Sequence, residues 1–184
     1  MVKRNDRTFN FPIDPQVIAL PIIQQQLTSD PVSVIKQWLA RMLILRPVPS
    51  LILGNSNEET LEPNLQVTDF GAWFSGLLAY APSAYVEIDS YLKQVMPDLI
   101  DMKNPLVGKD SRSLEVQFSN GQGSATFPFE DLSAGEKCFM ICALVLAANK
   151  AYGPAFWFWD EPDNYLAISE SKVDPIVKTK IRPQ

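Results

Sequence analysis

Two stretches of this 184-residue chain bring together residue types that can handle phosphate. The first is Leu132-Ser133-Ala134-Gly135-Glu136-Lys137, which opens a stretch with helical patterning that runs to about Tyr152. A helix start offers unpaired backbone N–H groups and the positive end of the macrodipole, and so seats an anion. Ser133 adds a hydroxyl donor, and Gly135 has no side chain to keep a phosphate away from the backbone. Ser133-x-x-Glu136 is equally the pattern of a capping box, in which the two side chains satisfy backbone donors reciprocally. Taken alone, capping is the preferred meaning of that stretch.

The second stretch is Phe156-Trp157-Phe158-Trp159-Asp160-Glu161-Pro162, four large apolar residues running straight into two carboxylates. A buried strand that ends in adjacent acids places them at the carboxyl edge of a sheet, where open α/β folds bind their ligands. There Asp160 can orient Mg²⁺, usually through its waters, and Glu161 can polarise a water for attack on a γ-phosphate. The competing meaning is a strand end followed by a turn, because Glu161-Pro162-Asp163-Asn164 is good turn chemistry. The pair outweighs either half: positions 133 and 160 are 27 apart, room for one helix, a turn and one strand.

Elements that must position these groups are legible along the rest of the chain. Residues 1–30 are punctuated by Pro12, Pro15 and Pro21 and predict extended structure with one short helix. Asp30-Pro31 starts a helix with apolar residues at Val32, Ile35, Leu39, Met42 and Leu43, running to Leu45 and stopped by Arg46-Pro47-Val48-Pro49. Leu51 to Gly54 reads as a short strand and Asn55 to Pro63 as a polar loop, its Glu58 and Glu59 solvated. Asp69 caps a helix from Phe70 to Tyr80. Pro82 starts another to about Met96, with Tyr85, Ile88, Tyr91, Leu92 and Val95 on one face. Leu114 to Phe118 and Ser124 to Phe127 flank Asn120-Gly121, a β-hairpin pattern. Gly153-Pro154 ends the helix that opens at Ser133, and Ala155 to Trp159 is a continuous apolar run, as in a buried parallel strand. On such a strand the aromatic run fills both faces of the sheet rather than stacking on bases, and Trp38 and Trp73 sit at core spacing on their helices.

Composition narrows the chemistry further. Apolar residues make up 46% and charged residues 20%, as in globular domains generally, so one core of useful size is available. A net charge of -5 gives no whole-chain basic footprint for nucleic acid or anionic lipid. Histidine is absent, which removes Ser-His and Cys-His catalysis and His-based zinc sites within this chain. Cys138 and Cys142, four apart on one helix, read as buried thiols rather than a disulfide or metal site. No apolar stretch approaches the roughly 20 residues a bilayer requires, and no signal-peptide core follows Met1, so a cytoplasmic setting is expected.

Taken together, Leu132 to Glu136 resembles the signature motif of ATP-binding-cassette ATPases, and Phe156 to Pro162 resembles their Walker B strand with its catalytic glutamate. Asp163-Asn164-Tyr165-Leu166 falls where the D-loop would be. The resemblance is to the soluble AAA-type group that includes the RecF, overcoming-lysogenization-defect and structural-maintenance ATPases. It is specific from about 114 to 166, loose from 31 to 113 and weak before that. It implies an α/β fold, part of a P-loop NTPase, with a helical signature lobe at about 31–113 and a β-hairpin. Residues 1–170 would form the C-terminal part of such an ATPase domain, with 171–184 an atypical tail. It implies that Ser133, Ala134, Gly135 and Glu136 contact ATP held by a second protomer, that Asp160 supports Mg²⁺, and that Glu161 is the general base. A head-to-tail dimer, or a partner chain bearing a Walker A loop, follows from the same resemblance. The implied setting is DNA metabolism or phage defence, where DNA or an effector nuclease would be the partner, though no residue pattern in the sequence names either.

Two family features are missing. No G-x-x-x-x-G-K-[ST] occurs in the chain, so the cradle that holds the β- and γ-phosphates is not supplied here. The family's switch histidine is absent too, and Ser171 to Gln184 carries Pro175 and Pro183 without a helical face. The expectation is a fragment or a product truncated at both ends, with half a nucleotide site. The alternative is a non-catalytic remnant or partner-binding module that keeps the fold.

Overall fold

A computed structural model describes residues 2–4, 7–9, 31–40, 42–153, 156–161 and 164–165. The chain divides into two compact units, Met1–Met42 and Leu43–Gln184. In the first, strands β1 (Val2–Arg4) and β2 (Arg7–Phe9) pair antiparallel, with Val2 opposite Phe9. The short helix expected within residues 1–30 lies outside the described residues. Helix α1 is Pro31–Ala40. The expectation of one helix to Leu45 needs correction: Met42–Leu45 is a strand, β3. Its Met-Leu-Ile-Leu run is an apolar strand segment that finds a strand partner, β10 (Phe156–Trp159), and pairing outweighs helical spacing. Trp38, expected in the core, is 52% exposed.

The second unit holds the main core. Helices α2 (Phe70–Tyr80), α3 (Ala84–Val95) and α4 (Ala134–Tyr152) pack together, α3 lying along α4. Both α2 and α3 match their predicted spans closely. Ile88 and Leu92 of α3 are fully buried, with Tyr85, Tyr91 and Val95 packed beside them. Buried residues run almost continuously along α4 from Lys137 to Ala148, as on a helix enclosed by its neighbours. It ends at Gly153, whose φ of 84° suits a residue without a Cβ.

Three small sheets surround these helices. Strands β4 (Asn55–Ser56), β6 (Leu106–Val107) and β7 (Ser111–Ser113) form one, in the order β4-β7-β6. Strands β5 (Leu99–Lys103), β8 (Glu115–Ser119) and β9 (Ser124–Pro128) form another, antiparallel in the order β5-β8-β9. The hairpin between β8 and β9 closes across Asn120–Gly123, with Gly121 at a φ of 78°. In the third sheet Asp160 N–H donates to the Leu45 carbonyl at 2.8 Å. Leu45 closes β3 and Asp160 follows β10, so these two strands run in the same direction and end together. Leu51 to Gly54, expected as a strand, instead leaves a 3-10 turn at Pro49–Leu51 and passes between α2 and the segment after β9. Space there is tight: a Cβ on Gly54 would lie 2.4 Å from Phe129 Cβ, and one on Gly71 only 2.3 Å from the Gly54 carbonyl oxygen. Phe129 stacks on Phe70 with centroids 4.6 Å apart. The molecule is thus mixed α/β with small sheets. Among the described residues no helix is long and apolar enough to cross a membrane.

Candidate functional site

Ser133 is the N-cap of α4, and the capping box is fully formed. Glu136 N–H donates to Ser133 Oγ at 3.2 Å, and Ser133 N–H donates to Glu136 Oε2 at 2.7 Å. Lys137 N–H makes the first intrahelical bond, to the Ser133 carbonyl at 3.0 Å. The amides of Ala134 and Gly135 make no hydrogen bond to a described residue, and both residues are half-buried. Ser133 is exposed, and its hydroxyl hydrogen remains available as a donor.

A lysine anchors this helix start from inside. Lys137 is 6% exposed, and its Nζ donates to the carbonyls of Glu130 at 2.9 Å and Pro49 at 3.2 Å. The same ammonium lies over the Phe129 ring, 5.6 Å from its centroid. Glu130 Oε1 accepts the Gly54 N–H at 2.7 Å. The first turn of α4, the turn after β9 and the segment 49–54 are therefore one hydrogen-bonded assembly.

Strand β10 delivers the acidic pair. Trp157 stacks on Trp73 with centroids 5.9 Å apart, and its Nε1–H donates to Asn149 Oδ1 of α4 at 2.6 Å. Trp157 and Trp159 pack against the core while Phe158 is 51% exposed. The strand was expected to be buried on both faces; among the described residues it pairs with β3 alone, and the Phe158 side reaches solvent. Asp160 then sits beside Arg46, its Oδ2 3.6 Å from Nε of the guanidinium. Glu161 is exposed and holds a φ of 53°, a left-handed conformation uncommon for a residue with a Cβ. Its carboxylate accepts a hydrogen bond from Asn164 Nδ2 at 2.5 Å, and its carbonyl accepts Asn164 N–H at 3.3 Å, closing a turn. Asp163 and Leu166 of the D-loop-like stretch, and the tail 171–184, lie outside the described residues.

Both motifs reach the same short segment. Asp160 contacts Leu45 and Arg46, and Lys137 contacts Pro49. Three residues span at most about 11 Å, so the helix start and the strand end lie within reach of one loop. The sequence assigns no role to Glu130 or to the Lys137 ammonium, and it presents Arg46 only as part of the helix stop Arg46-Pro47-Val48-Pro49. The signal lay in the mirror-image layout: Met42 to Leu45 runs into Arg46 as Phe156 to Trp159 runs into Asp160.

No group of three or more His, Cys, Asp or Glu side chains that could hold a metal occurs among the described residues. A closed all-protein cage is therefore not built. One or two carboxylates at a strand end do suit Mg²⁺, which keeps several waters and takes phosphate oxygens as its other ligands. Asp160, at the end of β10, is a single carboxylate of that kind, and it stands beside Arg46. Comparison with family models, with curated proteins and with solved structures returned no match.

Proposed function

We propose that this chain supplies the signature helix and Walker B strand of an ATP-hydrolysing site of the P-loop NTPase type, in an ATP-binding-cassette-like ATPase that switches conformation as a nucleotide-closed dimer. The observation that carries it is the joint layout of the two motifs. The Ala134 and Gly135 amides stand unengaged at the start of α4, and parallel strands β3 and β10 end together in Arg46 and Asp160-Glu161. In this reading Ser133, Ala134, Gly135 and Glu136 face the γ-phosphate of ATP on a second protomer or on a chain bearing the Walker A loop. Asp160 would hold Mg²⁺ through its waters, and the ion would neutralise charge on the phosphates. Glu161 takes the proton of the attacking water, and the Asn164 amide orients its carboxylate. A cytoplasmic setting, with DNA or an effector nuclease downstream, belongs to the same proposal.

Turnover in protein expressed together with its upstream coding sequence tests this. Glu161→Gln is expected to abolish multiple-turnover hydrolysis while ATP is still bound. Equal hydrolysis by both forms removes Glu161 from the reaction. One observation favours the alternative, a non-catalytic binding module: Ser133 Oγ already accepts the Glu136 amide and Asp160 already faces a guanidinium. Calorimetry on the 184-residue chain with Mg²⁺ and ATP separates the two, because tight binding by this chain alone defeats the remnant reading.

A further inference from the structure

Arg46 closes the apolar run of β3 as Asp160 closes that of β10. Its backbone is fixed, the Arg46 N–H donating to the Leu65 carbonyl at 2.7 Å. Its side chain is not: 70% of it is exposed, and its contact with Asp160 is from Nε to Oδ2 at 3.6 Å. That separation exceeds a hydrogen bond, and no other part of the guanidinium is bonded to a described residue. An exposed pair of this kind contributes little to stability, so folding does not account for a cation at this position. Charge does. A phosphate brought beside Asp160 and Glu161 meets two carboxylates and is repelled unless a cation stands with it. Among the described residues Arg46 is the one cation that contacts either carboxylate, and the sequence holds no phosphate-loop lysine.

We propose that Arg46 is a phosphate-binding residue of this site, resting on Asp160 when the site is empty and turning its open guanidinium edge to a polyphosphate chain when one arrives. A planar fork of donors grips two phosphate oxygens at once. The inference rests on the ATPase reading for its location, but it asserts something separate: an anion grip from a strand end rather than from a glycine-rich loop. Asp160 then acts as a competitor for Arg46 until a divalent cation occupies the carboxylate.

The test is a titration of the 184-residue chain with inorganic tripolyphosphate, without divalent cation, followed by fluorescence of Trp157 and Trp159 and by calorimetry. Arg46→Gln is expected to weaken binding roughly tenfold or more, as for loss of a charge-assisted hydrogen bond, with Arg46→Lys intermediate. Asp160→Asn is expected to tighten it by freeing the guanidinium, and the double variant should behave like Arg46→Gln. These opposite signs are not expected of a residue that only supports the fold, and unchanged thermal melts show that each variant is folded. The proposal is overturned if Arg46→Gln binds like wild type, if Asp160→Asn does not tighten binding, or if neither form binds tripolyphosphate. Turnover keeps the two readings apart. Hydrolysis lost in Glu161→Gln but unaffected by Arg46→Gln leaves the ATPase standing and removes Arg46. Tripolyphosphate binding through Arg46, with Glu161 inert, does the reverse.

Discussion

The start of α4 and the end of β10 carry the two halves of the proposed site, and they are built in opposite ways. At α4 the polar side chains are partnered, and only backbone amides stand open: Ser133 and Glu136 exchange bonds, Lys137 is buried between two carbonyls, and Glu130 holds Gly54. At β10 the carboxylates of Asp160 and Glu161 reach solvent, Glu161 sits in a left-handed conformation, and the partners are single contacts from Arg46 and Asn164. The first region is determined by the fold it supports. The second keeps unsatisfied capacity at a strained, exposed position, which is where function concentrates. Variants at α4 therefore mix stability with any binding role, whereas variants at β10 separate them.

Three substitutions sharpen that contrast. Lys137→Met keeps the length of the side chain but strands the Pro49 and Glu130 carbonyls. A loss of about 1–3 kcal/mol is expected in chemical denaturation, and a change under about 0.5 kcal/mol, the usual size of a surface substitution, means that the lysine is not a structural anchor. Ser133→Ala removes one cap bond and is expected to cost about 1 kcal/mol. At the other end Glu161→Gly relieves the positive φ and is expected to raise stability by about 0.5–1 kcal/mol, part of the cost of a left-handed residue. A loss there means that the Asn164 contact outweighs the backbone strain.

The last prediction is one of pH. Burial pushes the Cys138 thiol from an ordinary value near 9 up to about 11. Burial, with the hydroxyl's bond to Asp101, pushes Tyr85 from 10 up to about 12. Both groups hold their protons more tightly in the folded chain, so their contribution is complete below the unfolded values. It is lost as pH rises through 9 to 11 for Cys138 and through 10 to 12 for Tyr85. Cys138→Ala should remove the earlier part of the decline in stability on the packed side of α4 and leave the Tyr85 part. Identical profiles above pH 9 contradict the assignment.

Local signals are legible where the residues that decide an element lie within that element. Phe70 to Tyr80, the Asn120-Gly121 hairpin and the Ser133 cap each carry their own determinants, so they were legible. Met42 to Leu45 was not, because its conformation is decided by β10, more than a hundred positions later, while its spacing also fits a helix. Trp38 fits helical core spacing yet is exposed, since spacing names a face without naming what covers it. At the site, the acids and the cap were visible as types and spacings. Arg46 and Lys137 were not, because their roles come from contacts across the chain, with Asp160 and Pro49.

The most direct measurement is ATP turnover in protein that carries the phosphate-binding loop, supplied by upstream coding sequence or a companion chain, with wild type and Glu161→Gln compared at saturating Mg²⁺ and ATP. Hydrolysis in the wild type, lost in Glu161→Gln with nucleotide still bound, is the predicted result. Turnover that is absent from the wild type, or indifferent to Glu161, contradicts the account.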